Sequence, residues 1–161
     1  MTIKEYNTTV NDFSDSVYRF ILSNIKDENE SQDIVQESFE KLWVNRKKVV
    51  YKKAKSYLFT VAYRSMIDKI RKQKRMNYTD QTAILDGKYE EQYNDLQEIL
   101  HEALEKLPEV QRSVILLRDY EGYPYRDIAE ITGLSEAQVK VYIYRGRVAL
   151  KNYIRKIENL V

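Results

Sequence analysis

The chain has 161 residues, 32% of them charged, a net charge of +2 and a mean hydropathy of −0.63. With no cysteine and one histidine, His101, disulfides and Cys/His zinc sites are excluded, and no run approaches the roughly 18 apolar residues of a membrane span. The N-terminus MTIKEYNTTVNDF has neither a basic nor an apolar leader segment, so the chain reads as folded, soluble and cytoplasmic.

The small net charge conceals segregation. Residues 1–40 carry three basic and nine acidic side chains, residues 41–75 thirteen and one, residues 76–109 two and nine, and residues 140–156 six and none. Two positive blocks separated by an acidic one suit two contacts with a polyanion such as nucleic acid, joined by a tether; the plain alternative is a set of solvated helix faces. Glycine (four) and proline (two) are scarce, and apolar residues recur at helical spacing. The expected fold is therefore all-α: two small helical domains, 1–75 and 95–161, joined by a linker over 76–94, the C-terminal one a helix-turn-helix domain.

The first two helices are expected near 10–26 and 31–46. In NESQDIVQESFEKLW, Val35, Phe39, Leu42 and Trp43 share a face, while Asp33, Gln36, Glu37 and Glu40 lie mostly away from it. Such an acidic face is either solvated surface or a dock for a basic protein partner. KVVYK, 48–52, has strand propensity but no partner run and reads as a loop. Over 54–75, Leu58, Val61, Ala62, Ser65 and Met66 form a core stripe, and Arg64, Arg71 and Arg75 return to one azimuth, joined there by Tyr57 and Thr60. A basic row ending in an aromatic can hold one strand's phosphates while stacking an unpaired base, although amphipathic helices carry such residues without that role as well. MNYTDQTAILDGKYEEQYN, 76–94, breaks the periodicity, contains Asp86-Gly87 and loses basic charge, which marks the linker.

Helices follow at 95–106, 109–120, 125–132 and 136–157. Pro124 suits the first turn of the third, Gly133 supplies a left-handed residue after it, and Ser135 stands at capping-box spacing from Gln138. That is the grammar of a helix-turn-helix. In the last helix Val139, Ile143, Gly146 and Leu150 form the inward stripe, and Ala137, Gln138, Val141, Tyr144 and Arg145 face outward, where a recognition helix meets base edges. Alanine and valine suit thymine methyl groups, glutamine suits adenine, and Lys140, Arg147 and Lys151 flank them as phosphate clamps. A bundle helix buried on both sides would account for Val141 and Tyr144 equally, but fits poorly with six basic residues alongside.

In order, DIVQESFEKLW (33–43), SYLFTVAYRSMIDKIRKQKR (56–75) and LPEVQRSVILLRDYEGYPYRDIAEITGLSEAQVKVYIYRGRVAL (107–150) resemble the bacterial RNA polymerase sigma factors of the sigma-70 family, extracytoplasmic-function group, over essentially the whole chain. The resemblance implies a transcription initiation factor with no catalytic residue, metal, cofactor or small-molecule substrate. Its implied partners are core RNA polymerase, promoter DNA and an anti-sigma factor. It further implies core-polymerase binding through Asp33, Gln36, Glu37 and Glu40, and contact with the minus-ten element through Lys52, Lys53, Tyr57, Thr60, Arg64, Arg71 and Arg75. Contact with the minus-thirty-five element falls to Ser135, Ala137, Gln138, Lys140, Val141, Tyr144, Arg145, Arg147 and Lys151. By the same resemblance the loop NRKKVVYKKAK, 45–55, pockets a flipped minus-ten base, and the acidic linker runs through the polymerase's RNA exit path. Arg64, Tyr142 and Pro124 depart from the Asn, Arg and Ser common in the family.

Two other functions compete. A stand-alone helix-turn-helix regulator leaves DIVQESFEKLW followed by a basic aromatic helix unexplained. A nucleic-acid enzyme finds no His/Cys cluster or paired-carboxylate motif on a basic surface, since Asp68 is the only acid within 41–75.

Overall fold

The computed structural model describes residues 1–79 and 96–160. Its helices are α1 (Ile3–Ile25), α2 (Glu28–Val44), α3 (Ala54–Thr79), α4 (Leu96–Lys106), α5 (Glu109–Ile115), α6 (Tyr125–Thr132) and α7 (Glu136–Leu160), and no strand occurs among the described residues. A 3-10 turn, Tyr51–Lys53, leads into α3. The expected linker begins inside α3, which continues to Thr79; residues 80–94 of it lie outside the described residues.

The N-terminal half is a three-helix unit. α1 begins well before the expected residue 10, because Thr2 Oγ1 accepts the Glu5 N–H at 3.0 Å while Glu5 Oε1 accepts the Thr2 N–H at 2.8 Å, a reciprocal cap that starts the helix in a polar stretch. It ends at Lys26, which is left-handed (φ 57°) and returns its N–H to Leu22 O. Asp27 then caps α2 by accepting the Glu30 N–H at 3.0 Å.

The buried stripe of α2 is Ser31, Ile34, Ser38 and Leu42, with Phe39 beside it. The expected face of Val35, Phe39, Leu42 and Trp43 is therefore rotated: Val35 is only partly buried, and Trp43 sits at the rim. There Tyr6 meets its ring edge-on at 4.9 Å and the Arg46 guanidinium covers it at 3.9 Å. Two serines can be buried because each hydroxyl donates to the preceding turn, Ser31 to Asp27 O (2.6 Å) and Ser38 to Ile34 O (2.7 Å). On α3 the expected stripe holds, with Leu58, Ala62 and Met66 buried and Val61 and Ser65 half-buried.

In the C-terminal half α7 packs on α4, α5 and α6 through Val139, Ile143, Gly146 and Leu150, all buried as the spacing predicts. A Cβ at Gly146 would overlap Ile115 Cδ1, so the glycine permits the close approach of α7 to α5. The expected helix 109–120 changes character: α-geometry stops at Ile115, and Leu116–Tyr120 form a π-helical turn. Its exit is held by Glu121 N–H to Leu116 O and Tyr123 N–H to Leu117 O, both 3.0 Å.

The halves share one hydrophobic core, and α6 lies along α3. Phe59 stacks between Phe20 (5.6 Å) and the edge of Tyr123 (5.2 Å). Buried Asn24 accepts from Arg112 Nε (3.0 Å) and Ser113 Oγ (3.2 Å) while donating to Phe20 O (3.1 Å). Arg19 grips Glu121 with two bonds of 3.0 and 2.8 Å.

Candidate nucleic-acid interface

The 3-10 turn and the start of α3 frame a basic cleft. Arg64, Arg71 and Arg75 are exposed along one side of α3, with Tyr57 and Thr60 half-buried at the N-terminal end of the row. Beside them opens a cleft of ≈ 330 Å³ lined by Lys48, Val49, Val50, Lys53, Ser56, Tyr57, Thr60, Arg64 and Glu130. Lys52 is exposed on the same turn but does not line it. Tyr57 is fixed in place: its hydroxyl accepts from Asn45 Nδ2 at 3.1 Å, and the same amide donates to Lys41 O at 2.9 Å. Thr60 donates to Ser56 O at 2.7 Å and keeps acceptor capacity. An oriented aromatic face, apolar Val49 and Val50 and several cations suit a stacked base with its phosphates. Asn45 lies in the expected loop 45–55, but its role in holding Tyr57 shows only through its hydrogen bond, and Glu130, which arrives from the other half of the chain, escaped the sequence reading.

The acidic face of α2 is solvent-facing, with Asp33, Gln36 and Glu40 exposed and Glu37 half-exposed. Glu37 pairs with Lys41 at 3.1 Å and accepts from Ser65 Oγ at 3.4 Å, and Gln36 donates to Glu40 at 3.3 Å. Next to it a groove of ≈ 380 Å³ runs between α1 and α2, lined by Ser14, Asp15, Tyr18, Gln32, Val35 and Gln36. The face thus joins acidic groups to a mostly polar groove in which Tyr18 and Val35 supply the apolar contacts, which suits a basic helix.

On α7, Ser135, Ala137, Gln138, Lys140, Val141, Tyr144, Arg145, Arg147 and Lys151 are all exposed. Ala137, Gln138, Val141, Tyr142 and Arg145 surround a shallow hollow of ≈ 240 Å³; Tyr142, half-buried there, had stood out in the sequence only as a departure from a family. Three of the residues already hold side-chain hydrogen bonds. Gln138 Oε1 accepts the Ser135 N–H at 2.9 Å and Ser135 Oγ accepts the Gln138 N–H at 3.1 Å, a complete capping box. Bidentate pairing with adenine would need that same oxygen. Arg147 is held by Asp119, through Nε at 3.2 Å and a shorter bond from the terminal nitrogen, and these bonds raise the guanidinium's pKa above its ordinary value.

The cap makes a prediction about α7. Gln138→Ala and Ser135→Ala should each destabilise the chain by about 1 kcal/mol, measured by urea denaturation. Each should also weaken binding to every duplex variant alike; a loss confined to one base pair in a competition assay would return Gln138 to direct readout.

Among the described residues no group of three or more His, Cys, Asp or Glu could hold a metal ion, and no helix is long and apolar enough to cross a membrane. Residues 9–76 match the family Sigma-70 region 2, and residues 97–150 match Sigma-70, region 4. The chain is 34% identical over 152 residues to RNA polymerase sigma factor SigV of Bacillus subtilis, covering 92% of this chain and 90% of that one. It is 31% identical over 160 residues to ECF RNA polymerase sigma factor SigM of the same organism, covering 94% of each. In fold it is similar to the sigma factor RpoE of Bartonella quintana, solved in complex with the anti-sigma factor NepR, with a TM-score of 0.80 at 22% identity over 95% of this chain and 98% of that one.

Proposed function

The chain belongs to the extracytoplasmic-function group of the sigma-70 family of bacterial RNA polymerase sigma factors, and from that premise we propose that it is a transcription initiation factor that binds core RNA polymerase, directs it to specific promoters and aids melting of the DNA. The observation that carries this reading is the pairing, in one chain, of a basic cleft with an oriented aromatic wall and a helix-turn-helix with an exposed outer face. The first suits an unstacked strand and the second suits duplex DNA. In this assignment residues 1–75 take core polymerase and the minus-ten element, and 95–161 take the minus-thirty-five element. The loop around Val49 and Val50 receives a flipped base in the cleft, and the acidic segment between the halves follows the RNA exit path.

The protein performs no bond-making step itself and works in the cytoplasm, where the polymerase is. An anti-sigma factor is proposed as a further partner, by analogy with the NepR complex of the structural relative. The deciding experiment is reconstitution: purified chain, core polymerase and genome fragments, followed by transcript mapping. Discrete start sites that depend on the chain are expected; tight duplex binding by the chain alone, with no gain from polymerase, would favour an ordinary regulator.

Docking is tested separately. Reversing Glu37 and Glu40 to lysine places like charges against a basic partner and should weaken core binding by about tenfold or more, with helicity unchanged. Unaltered retention of core polymerase in a pull-down would remove the α2 face from the interface.

A further inference from the structure

Among the described residues, Arg147 is the one cation on the outer face of α7 that a carboxylate holds: Asp119 accepts from its Nε at 3.2 Å and from a terminal nitrogen at a shorter distance. A fork of two bonds fixes the plane of a guanidinium, which a single contact does not. The Arg147 side chain is still 50% exposed, so an outside ligand can reach it. Asp119 stands opposite because α5 does not continue as an α-helix. Leu116–Tyr120 form a π-helical turn, closed by Glu121 N–H to Leu116 O, in which Leu116 and Leu117 stay buried while Asp119 projects toward α7. Its neighbour Arg118 serves α6, donating to Tyr123 O at 3.0 Å and lying over the Tyr125 ring at 4.2 Å. One irregular turn thus grips both helices of the helix-turn-helix, and turns of this kind recur at functional sites.

We infer that Asp119 is a positioning residue: presented by the π-helical turn, it fixes the Arg147 guanidinium for one backbone phosphate of the minus-thirty-five duplex, so that discrimination between duplexes depends on it. The inference rests on the proposed reading of α7 as the helix that meets that duplex. A free arginine loses rotamer freedom when it binds, and ordering one such side chain lowers affinity by about two- to tenfold. An arginine already fixed avoids that loss, but only where a phosphate falls at its place. In the promoter register, which the base contacts of α7 set, one does. On other DNA the protein settles in many registers, and a mobile arginine finds a phosphate in any of them. Asp119 also puts a negative charge beside the clamp, which opposes attraction to DNA of every sequence alike. The first effect favours the promoter; the second lowers all affinities equally.

The test uses holoenzyme assembled with the full chain, a promoter fragment found by transcript mapping, and the same fragment with its minus-thirty-five element scrambled, compared by competition in filter retention. Asp119→Asn keeps the side chain's size and removes its charge. It should bind the scrambled fragment as well as the wild type does or better, while the ratio of promoter to scrambled affinity falls by about two- to tenfold. Arg147→Ala should weaken binding to both fragments and reduce the salt slope by about one. Adding Asp119→Asn to it should leave the ratio where Arg147→Ala alone puts it, because the carboxylate then has no guanidinium to place. A purely structural Asp119 would lower both affinities together, with or without Arg147. An equal change on both fragments in Asp119→Asn, or the same fall in ratio when Arg147 is absent, therefore overturns the positioning role and leaves α7 on the duplex. If Arg147→Ala and Lys151→Ala both leave affinity and salt slope unchanged, α7 does not meet the duplex, and the inference falls with that reading.

Discussion

Phe59→Ala is expected to cost about 3–5 kcal/mol of stability, the range for deleting a fully buried aromatic ring from a core that cannot collapse around the gap. Phe59 is 0% exposed and lies between Phe20 of α1 and Tyr123 at the exit of the π-helical turn. Alanine there empties space on both sides of the junction. Tyr123 cannot offset the loss: its hydroxyl is buried with no hydrogen-bond partner among the described residues, and burial, then the Glu121 and Asp127 carboxylates, push its phenol far above the ordinary tyrosine range. The lone tryptophan, Trp43, reports the N-terminal half by fluorescence, and far-UV circular dichroism reports all the helices. Both should shift together to lower urea concentration. A shift of fluorescence alone, with part of the ellipticity melting where the wild type melts, would mean that the halves unfold independently. A loss under about 1 kcal/mol would contradict the burial of Phe59.

What the sequence made legible was local. The inward stripe of α7 follows from a 3.6-residue period, and its start follows from Gly133, Ser135 and Gln138, all within six consecutive residues. The row Tyr57, Thr60, Arg64, Arg71 and Arg75 was legible for the same reason. Where the reading failed, the physics lay outside hydrophobic periodicity. The start of α1 is set by the Thr2–Glu5 cap rather than by apolar residues, and the true face of α2 includes Ser31 and Ser38, whose hydroxyls are satisfied by their own helix. The π-helical turn at Leu116–Tyr120 keeps the spacing of an ordinary helix, so no pattern announces it. Gln138 carried two expected roles, cap and base reader, and only the geometry shows that the first occupies the oxygen the second requires. The junction was illegible altogether: Asn24, Arg112 and Glu121 meet partners far along the chain, Glu130 lines a cleft formed by the other half, and each alone resembles a solvated polar residue.

In the presence of core polymerase, permanganate-reactive thymines should appear near the start site, and Tyr57→Ala with Arg64→Ala should suppress them far more than it suppresses closed-complex binding. Opening a duplex costs a few kcal/mol per unstacked step, and a protein recovers about 1–3 kcal/mol for each base stacked on an aromatic ring. Tyr57 is the ring that lines the basic cleft, and Arg64 stands on the same azimuth to take a phosphate. Removing both strips the opened strand of its partner while leaving α7 untouched. Reactivity at saturating polymerase should therefore fall by about tenfold or more, against about threefold or less in closed-complex affinity. Tyr57→Phe separates ring from hydroxyl: it keeps the stacking face and loses only the bond from Asn45, so most reactivity should remain. The chain without polymerase should bind duplex promoter DNA weakly and open none of it, because neither half is large enough to recover the melting cost alone. Equal losses of reactivity and closed-complex binding in the double variant would place Tyr57 and Arg64 on the duplex instead of the opened strand.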